Sequence, residues 1–165
     1  MKQILQIGKP ETPEQFKEYY DLRWRILRAP WDRLRGSEMD EFDEAADHVT
    51  VRDVDGRLLG IGRLHMNNVQ EAQIRFMATE EFCRGFGIGR ALIGKLEEIA
   101  RDRGAERIVL NARAHVVGFY QRYEVGFYQR YGFVVTGPGP TLFDKLKHSR
   151  MEKSLREENP VSVQI

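Results

Sequence analysis

The sequence predicts a mixed α/β domain, and three observations carry that expectation. Two alternating runs flank Asp55-Gly56, which reads as an antiparallel hairpin. A glycine-rich turn over Arg84 to Gly89 opens an amphipathic helix. Beyond it strands and helices alternate, which requires a crossover and at least one parallel pairing. The chain has 165 residues, 41% apolar and 31% charged, enough to bury one core and too few for two ordinary domains. One domain is expected over residues 1–155, followed by a polar tail over 156–165.

Each element has local support. Lys2 to Ile7 alternates loosely and reads as a short strand closed by Gly8 and Pro10. Thr12-Pro13-Glu14-Gln15 combines an N-cap hydroxyl, a proline at the first helical position and a glutamine three residues past the cap, so a boxed helix starts there. Phe16, Tyr20, Arg23 and Leu27 recur at helical spacing until Pro30 forbids continuation. Trp31 to Asp47 loses periodicity and reads as a loop or short irregular helix. Val49 to Val54 and Arg57 to His65 are the hairpin strands, joined by an expected type I′ turn at Asp55-Gly56. Asn67-Asn68 punctuates, and Ala72 to Thr79 is a third strand. Ile88, Leu92, Leu96 and Ile99 mark the next helix, which ends at Gly104, a natural C′ glycine. Arg107 to Leu110 is a compact strand, a helix begins near His115, and Phe133 to Thr136 is a strand before a Gly137-Pro138-Gly139-Pro140 turn.

Composition removes whole classes of partner. Twenty-six Lys plus Arg against 25 Asp plus Glu leave a net charge of +1, so no global field draws nucleic acid or an anionic membrane, and neither is expected. No run of about 18 apolar residues is present, and the opening residues are too short and polar for a signal-peptide core. The lone Cys83 supports neither a disulfide framework nor a multi-cysteine zinc site and fits a reducing, cytoplasmic setting. His48, His65, His115 and His148 lack metal-ligand spacing and the acidic residues lack EF-hand spacing, so no metal is expected.

Val117-Gly118-Phe119-Tyr120-Gln121-Arg122-Tyr123 recurs as Val125-Gly126-Phe127-Tyr128-Gln129-Arg130-Tyr131, a tandem copy with a period of eight. Eight extra helical residues would lengthen a helix by roughly 12 Å and rotate its downstream face by roughly 80°. Both flanks cannot keep one register, so either one copy leaves the helix or everything after it moves.

Arg84-Gly85-Phe86-Gly87-Ile88-Gly89-Arg90 carries the chemistry. Its glycines allow close backbone approach, and the helix after it presents unpaired N–H groups at the positive end of its dipole, a combination that binds phosphate. The Rossmann glycine spacing is absent, as is the Gly-Lys-Ser/Thr of a Walker A loop. What remains is Arg/Gln-x-x-Gly-x-Gly/Ala, at Arg84, Gly87 and Gly89, after a strand and before a helix. With Phe76-Met77-Ala78-Thr79 before it, and Asn111, Phe119-Tyr120 and Gly132-Phe133 after it, the chain from about Val49 to Val135 resembles the GNAT superfamily of acyl-CoA-dependent N-acetyltransferases.

The resemblance implies a mostly antiparallel sheet of six to seven strands with a parallel splayed pair and flanking helices. It implies acetyl-CoA as co-substrate, its pyrophosphate on the amides of Phe86, Gly87, Ile88, Gly89 and Arg90 with Arg84 at the loop entrance. The pantetheine arm would pair with main-chain groups of Met77 and Thr79 like an added strand, and Asn111 would reach the same arm. The family's proton-donating tyrosine matches Tyr120 counted forward from Asn111 and Tyr128 counted back from Gly132-Phe133; nearness to the helix start favours Tyr120. Gln73 stands where several members carry a glutamate base, which leaves Glu71, Glu80, Glu81 and His65 as nearby alternatives.

The expected reaction is direct transfer of an acetyl group, in a ternary complex, to a primary amine of a small molecule. A protein or peptide amine, and a non-catalytic acyl-CoA-binding module, are the alternatives, and a homodimer is left open. The acceptor pocket is expected from Trp24 through Asp47 and from the loop after Gly137. Glu38, Asp40, Glu41, Asp43, Glu44 and Asp47 would either attract a cationic amine or form a solvated acidic face.

Overall fold

Seven strands form one sheet in the order β1-β2-β3-β4-β5-β7-β6. They are β1 (Gln6–Gly8), β2 (Asp47–Arg52), β3 (Leu58–Met66), β4 (Glu71–Thr79), β5 (Arg107–Ala114), β6 (Val134–Pro138) and β7 (Lys147–Ser154). Among the described residues, three α-helices accompany them: α1 (Pro13–Leu27), α2 (Ile88–Asp102) and α3 (Phe119–Arg130). The computed structural model describes residues 4–114 and 119–156, with the side chains at 114 and 119–123 outside the description. All pairings are antiparallel except β4 with β5. The mixed, mostly antiparallel sheet with one parallel pair is the architecture expected.

α1 begins as its sequence dictates. The Thr12 hydroxyl accepts from the Gln15 amide at 3.2 Å while the Gln15 side chain accepts from the Thr12 amide at 3.3 Å, and Pro13 occupies the first turn. Its inward face differs from the expected one, for Tyr19, Leu22, Arg23 and Leu27 are buried, and Phe16 and Tyr20 only partly so. This helix packs on one face of the sheet against Ile61, Phe76 and Ala78. α2 packs on the other, where Ile88, Leu92, Ile93 and Leu96 join Val49, Val51, Leu64 and Ile74 in the larger core. Bare backbone sets that distance, since a Cβ on Gly60 would lie 2.5 Å from Ile88 Cγ2 and one on Gly62 would lie 2.9 Å from Leu96 Cδ1.

Three local expectations are corrected. The hairpin turn spans Asp53 to Gly56, with the Gly56 amide donating to the Asp53 carbonyl and positive φ at Gly56 but not Asp55, so it is not type I′. The Asp53 carboxylate makes this wider turn favourable by accepting the amides of Asp55 and Arg57, each at 2.9 Å. β6 runs through Gly137 and Pro138, and the reversal falls later, where the Leu142 and Leu146 main chains bond each other. β7 was not anticipated, because Met151 is its one fully apolar inward residue and its other side chains are polar. It is held instead by full main-chain pairing with β5, from Arg107↔Ser154 to Ala114↔Lys147.

The acidic stretch folds inward rather than facing solvent. Asp43 pairs with Arg23 at 2.8 Å and with Arg63 at 2.9 Å, and both arginines are fully buried. Asp40 bridges Arg63 and Arg75, Glu38 accepts the Gly36 amide at 2.6 Å, and Asp47 pairs with Arg103. Only Glu41 and Glu44 of the six stay exposed without such partners. A solvated or ligand-attracting acidic face is thus not formed, because four of the six acids are taken up holding guanidinium groups or a turn. His48 Nε2 donates to the Asp43 carbonyl at 2.7 Å, leaving Nδ1 to accept from the Tyr19 hydroxyl at 2.8 Å.

Two consequences are measurable. Gly60→Ala should lower stability by about 1–3 kcal/mol in urea unfolding, because the new methyl forces α2 off the sheet. Burial lowers the His48 pKa below its ordinary 6.5, so the unfolded chain takes up that proton first and stability falls as pH drops through 6.5. Burial raises Asp43, but Arg23, the Asp40 amide and Arg63 together outweigh it and hold the carboxyl below 3.8, so a second loss sets in on approach to that value. The urea midpoint should be lower at pH about 5.5 than at pH about 7.5, and His48→Gln should shrink the gap.

Candidate active site

The parallel pair is joined only at its start. β4 and β5 register as Glu71↔Arg107, Ala72↔Ile108 and Gln73↔Val109, and no further. Past Gln73 the strands diverge, leaving one edge of β4 without a strand partner from Ile74 to Thr79. The divergence coincides with a bulge: Ile61↔Ala78 and Arg63↔Arg75 enclose one more residue on β4 than on β3, and Phe76 within it has φ of 58°. Positive φ is costly for a bulky residue. The Phe76 ring is held there by four guanidinium groups, Arg23, Arg28, Arg63 and Arg75, with carbons 4.2 to 5.4 Å from its centroid.

Two cavities open from the splay. One, of about 550 Å³, runs along Met77, Ala78 and Thr79 and reaches Arg84, Gly87, Gly89 and Arg90. At its end Gly85 and Gly87 take φ of 89° and 82°, which turns the chain into α2. The Phe86 amide donates to the Cys83 carbonyl at 3.1 Å and is therefore already committed, whereas those of Gly87, Ile88, Gly89 and Arg90 have no partner among the described residues. A Cβ on Gly89 would lie 2.7 Å from Phe127 Cζ, so only a glycine lets the repeat's second copy pack on the start of α2. Four orphan amides at a helix start, beside an unpaired strand edge, form a cradle suited to a phosphate with an extended arm behind it.

The second cavity, of about 370 Å³, lies across the splay and is lined by Arg28, Arg75, Asn111, Arg113, Pro140 and His148 among others. Asn111 therefore faces this side and not the cleft beside α2, and a Cβ on Gly139 would come within 3.0 Å of its Oδ1. Leu27, Met77, Arg113, Glu124 and Tyr128 line both cavities and mark the junction. Glu124 and Tyr128 stand four residues apart, on one face of α3. Burial raises the Glu124 pKa above the ordinary carboxyl value, although Oε1 accepts the Arg113 amide at 2.9 Å. Burial also pushes the Tyr128 phenol far up, with the Glu124 charge adding to it, and its hydroxyl lies 3.5 Å from the Met77 sulfur. His148 Nδ1 donates to the Pro140 carbonyl at 2.8 Å, and burial lowers its pKa so that the ring is neutral near pH 7.

The expected residues are distributed as follows. Met77, Thr79, Arg84, Gly87, Ile88, Gly89 and Arg90 border one cleft, and Tyr128 sits at the junction. The Tyr120 side chain and His115 lie outside the described residues. Gln73 lines the second cavity and accepts from Asn67. Of the acids weighed beside it, Glu71 pairs with Arg107 and Arg150 and Glu80 with Arg25, whereas Glu81 lines the first cavity. His65 is buried, and Arg63 donates to its Nδ1 at 3.0 Å. Cys83 is buried, and burial pushes its thiol up. Arg28 falls within the Trp24 to Asp47 stretch expected to line an acceptor pocket, whereas Glu124, His148, Arg75 and Arg113 were not anticipated; Glu124 falls between the two copies of the repeat, where the sequence offered no signal beyond its polarity within an aromatic run. No group of three or more metal-ligating side chains occurs among the described residues.

A splayed parallel pair with a glycine turn opening a helix beside it defines an acyl-CoA-type acyltransferase scaffold. The model of the acetyltransferase (GNAT) family matches residues 16–133, so this chain belongs to that family of N-acetyltransferases. The uncharacterized N-acetyltransferase YjcF of Bacillus subtilis (strain 168) is 27% identical over 113 residues, 68% of this chain and 79% of that protein. The chloroplastic serotonin N-acetyltransferase 2 of Oryza sativa subsp. japonica is 35% identical over 66 residues, 40% of this chain and 33% of that protein. In fold, the chain resembles an aminoglycoside 6'-N-acetyltransferase solved with coenzyme A, with a TM-score of 0.73, 17% identity and coverage of 92% of this chain and 96% of the other. It likewise resembles an acyl-CoA N-acyltransferase from Pseudomonas aeruginosa, with a TM-score of 0.72 at 21% identity, covering 92% and 99%. None of the described helices is long and apolar enough to cross a membrane.

Proposed function

We propose that the protein transfers an acetyl group from acetyl-CoA to a primary amine of a small molecule, directly and within a ternary complex. The carrying observation is that two cavities meet at Leu27, Met77, Arg113, Glu124 and Tyr128, one bordered by the orphan amides of α2 and the other separate from them. Acetyl-CoA supplies an activated thioester; the chain's own groups bind and orient it and handle protons. The amides of Gly87, Ile88, Gly89 and Arg90 hold its pyrophosphate, Arg84 flanks the loop, and the open edge of Met77 and Thr79 holds the arm. A 370 Å³ acceptor cavity suits a small molecule better than an extended peptide. Two relatives are named for amine acceptors that are small molecules, serotonin and an aminoglycoside.

At the junction Glu124 takes the role of general base in place of Gln73. Its raised pKa brings the carboxylate's basicity nearer to that needed to accept a proton from an alkylammonium, whose own pKa near 10.4 keeps it about one part in 10³ neutral at pH 7. Tyr128, fully protonated, holds a proton for the departing sulfur. The ammonium gives its first proton to solvent; the carbon–nitrogen bond then forms as the carbon–sulfur bond breaks, the surplus proton on the attacking nitrogen passes to Glu124, and the Tyr128 proton passes to sulfur. Return of the proton from Glu124 to Tyr128, one helical turn away, closes the cycle.

Glu124→Gln should lower kcat/KM at least tenfold and remove the acid limb of its pH profile. Tyr128→Phe should lower kcat at least tenfold with the coenzyme A affinity kept, both followed by thiol release from acetyl-CoA. An undiminished Tyr128→Phe enzyme would return the donor role to Tyr120. Gly87→Val forces a side chain into φ of 82° and should weaken coenzyme A binding at least tenfold in calorimetry. Gly94→Ala, within the same helix where a Cβ meets nothing, should leave that binding unchanged.

A further inference from the structure

We infer that the acceptor amine carries an anionic group, a carboxylate or phosphate, which seats on Arg28, Arg75 and Arg113 while its amino group points to Glu124. This rests on the acetyltransferase reading above and names the acceptor class. Three arginines line the 370 Å³ cavity, and Glu124 is the sole acid among its described lining residues. Arg28 is 5% exposed, yet no carboxylate lies within ion-pair distance of it among the described residues. Its guanidinium is held by neutral carbonyls, Nε donating to Ser37 and Nη1 to Leu27, each at 3.1 Å. Arg113 Nη2 donates to the same Leu27 carbonyl at 3.2 Å. Carbonyls of Leu27, at the end of α1, and of Ser37 thus fix both heads in place, with the Glu124 charge set against that of Arg113, and Arg28 Nη2 with Arg113 Nε and Nη1 have no hydrogen-bond partner among the described residues. Arg75 is half compensated, since it shares Asp40 with Arg63.

Other elements do not supply the missing charge. From the β7 side the cavity meets His148, whose neutral ring offers no anion. Of the acids in the loop before β2, Asp43 is turned onto Arg23 and Arg63, Asp40 is shared between Arg63 and Arg75, and Glu38, which accepts the Gly36 amide, attracts Arg28 without forming an ion pair with it. Burial, joined by the nearby Arg113, Arg75 and Arg23 and opposed by Glu38, lowers the Arg28 pKa to about 10, the mark of a cation with too few counter-charges. Buried charges of one sign held in fixed positions are what recognition of an oxyanion requires, and guanidinium forks match carboxylate and phosphate geometry. An acceptor with an anion at one end and an amine at the other would satisfy the arginines and leave its nitrogen by Glu124, beside the cleft. A polycationic amine would meet repulsion in the same place.

Matched amines test this: lysine against cadaverine, tyrosine against tyramine, and phosphoethanolamine against ethanolamine. Calorimetry on the coenzyme A-bound protein reads the site without needing turnover. At least tenfold tighter binding of the anionic member in one or more pairs is expected, and which pair shows it separates carboxylate from phosphate. Arg75→Gln, a partly exposed position, should abolish that preference at least tenfold while the thermal shift produced by coenzyme A persists. Equal or tighter binding of the amines without the anionic group, or no binding of any anionic member, would overturn the inference. Thiol release from acetyl-CoA with the same panel is scored separately, so a protein that binds amino acids without releasing thiol would fail the transferase reading alone.

Discussion

The parting of β4 from β5 after Gln73 is the constraint on which the site depends. Had the parallel ladder continued, β4's edge would be paired, and neither cavity would exist. The bulge at Phe76 accompanies the parting and re-aims the strand, at the cost of a positive φ on a bulky residue. Guanidinium groups against both the ring and its surroundings over-determine that conformation. The same arginines that hold the bulge border or underlie the second cavity, so the geometry of the splay and the charge of the site have one origin.

Buried arginines are tolerated only when hydrogen-bonded and compensated. Arg23 and Arg63 meet that condition through Asp40 and Asp43, which is why the acidic stretch before β2 folds onto the sheet. Arg28 and Arg113 meet it only in part, through main-chain carbonyls. The boundary between compensated and uncompensated arginine runs between the interior under Phe76 and the wall of the second cavity. Structure and site are thus drawn from one network, whose inner half supports the fold and whose outer half is available to a ligand.

Tertiary packing fixes the place of the second copy of the tandem repeat. Phe127 seats against Gly89, where any side chain would collide, and Tyr128 enters the junction between Met77 and Glu124. Phe133, buried beside Tyr128, anchors the same copy from the strand that follows. The second copy is therefore tied at both ends to the core, and α3 runs without a break from Phe119, within the first copy, to Arg130, within the second.

Local rules written in neighbouring residues were legible before any coordinates: the capping box at Thr12 and Gln15, the glycine turn into α2, the hairpin and the mixed sheet. Each depends on spacing within about one helical turn or one strand, and such spacing survives in one dimension. The resemblance to GNAT proteins was legible for the same reason, since its motif is a run of backbone requirements. What only the three-dimensional structure decided is what meets across the sheet. The polar strand β7 is held by main-chain pairing that side-chain pattern does not record, and the acidic run turns inward to arginines 15 to 35 residues away. Glu124 reaches a junction of three elements, and Arg28 and Arg113 converge on one carbonyl from positions 85 residues apart. Long-range burial and charge balance depend on the closed fold, and no local signal encodes them.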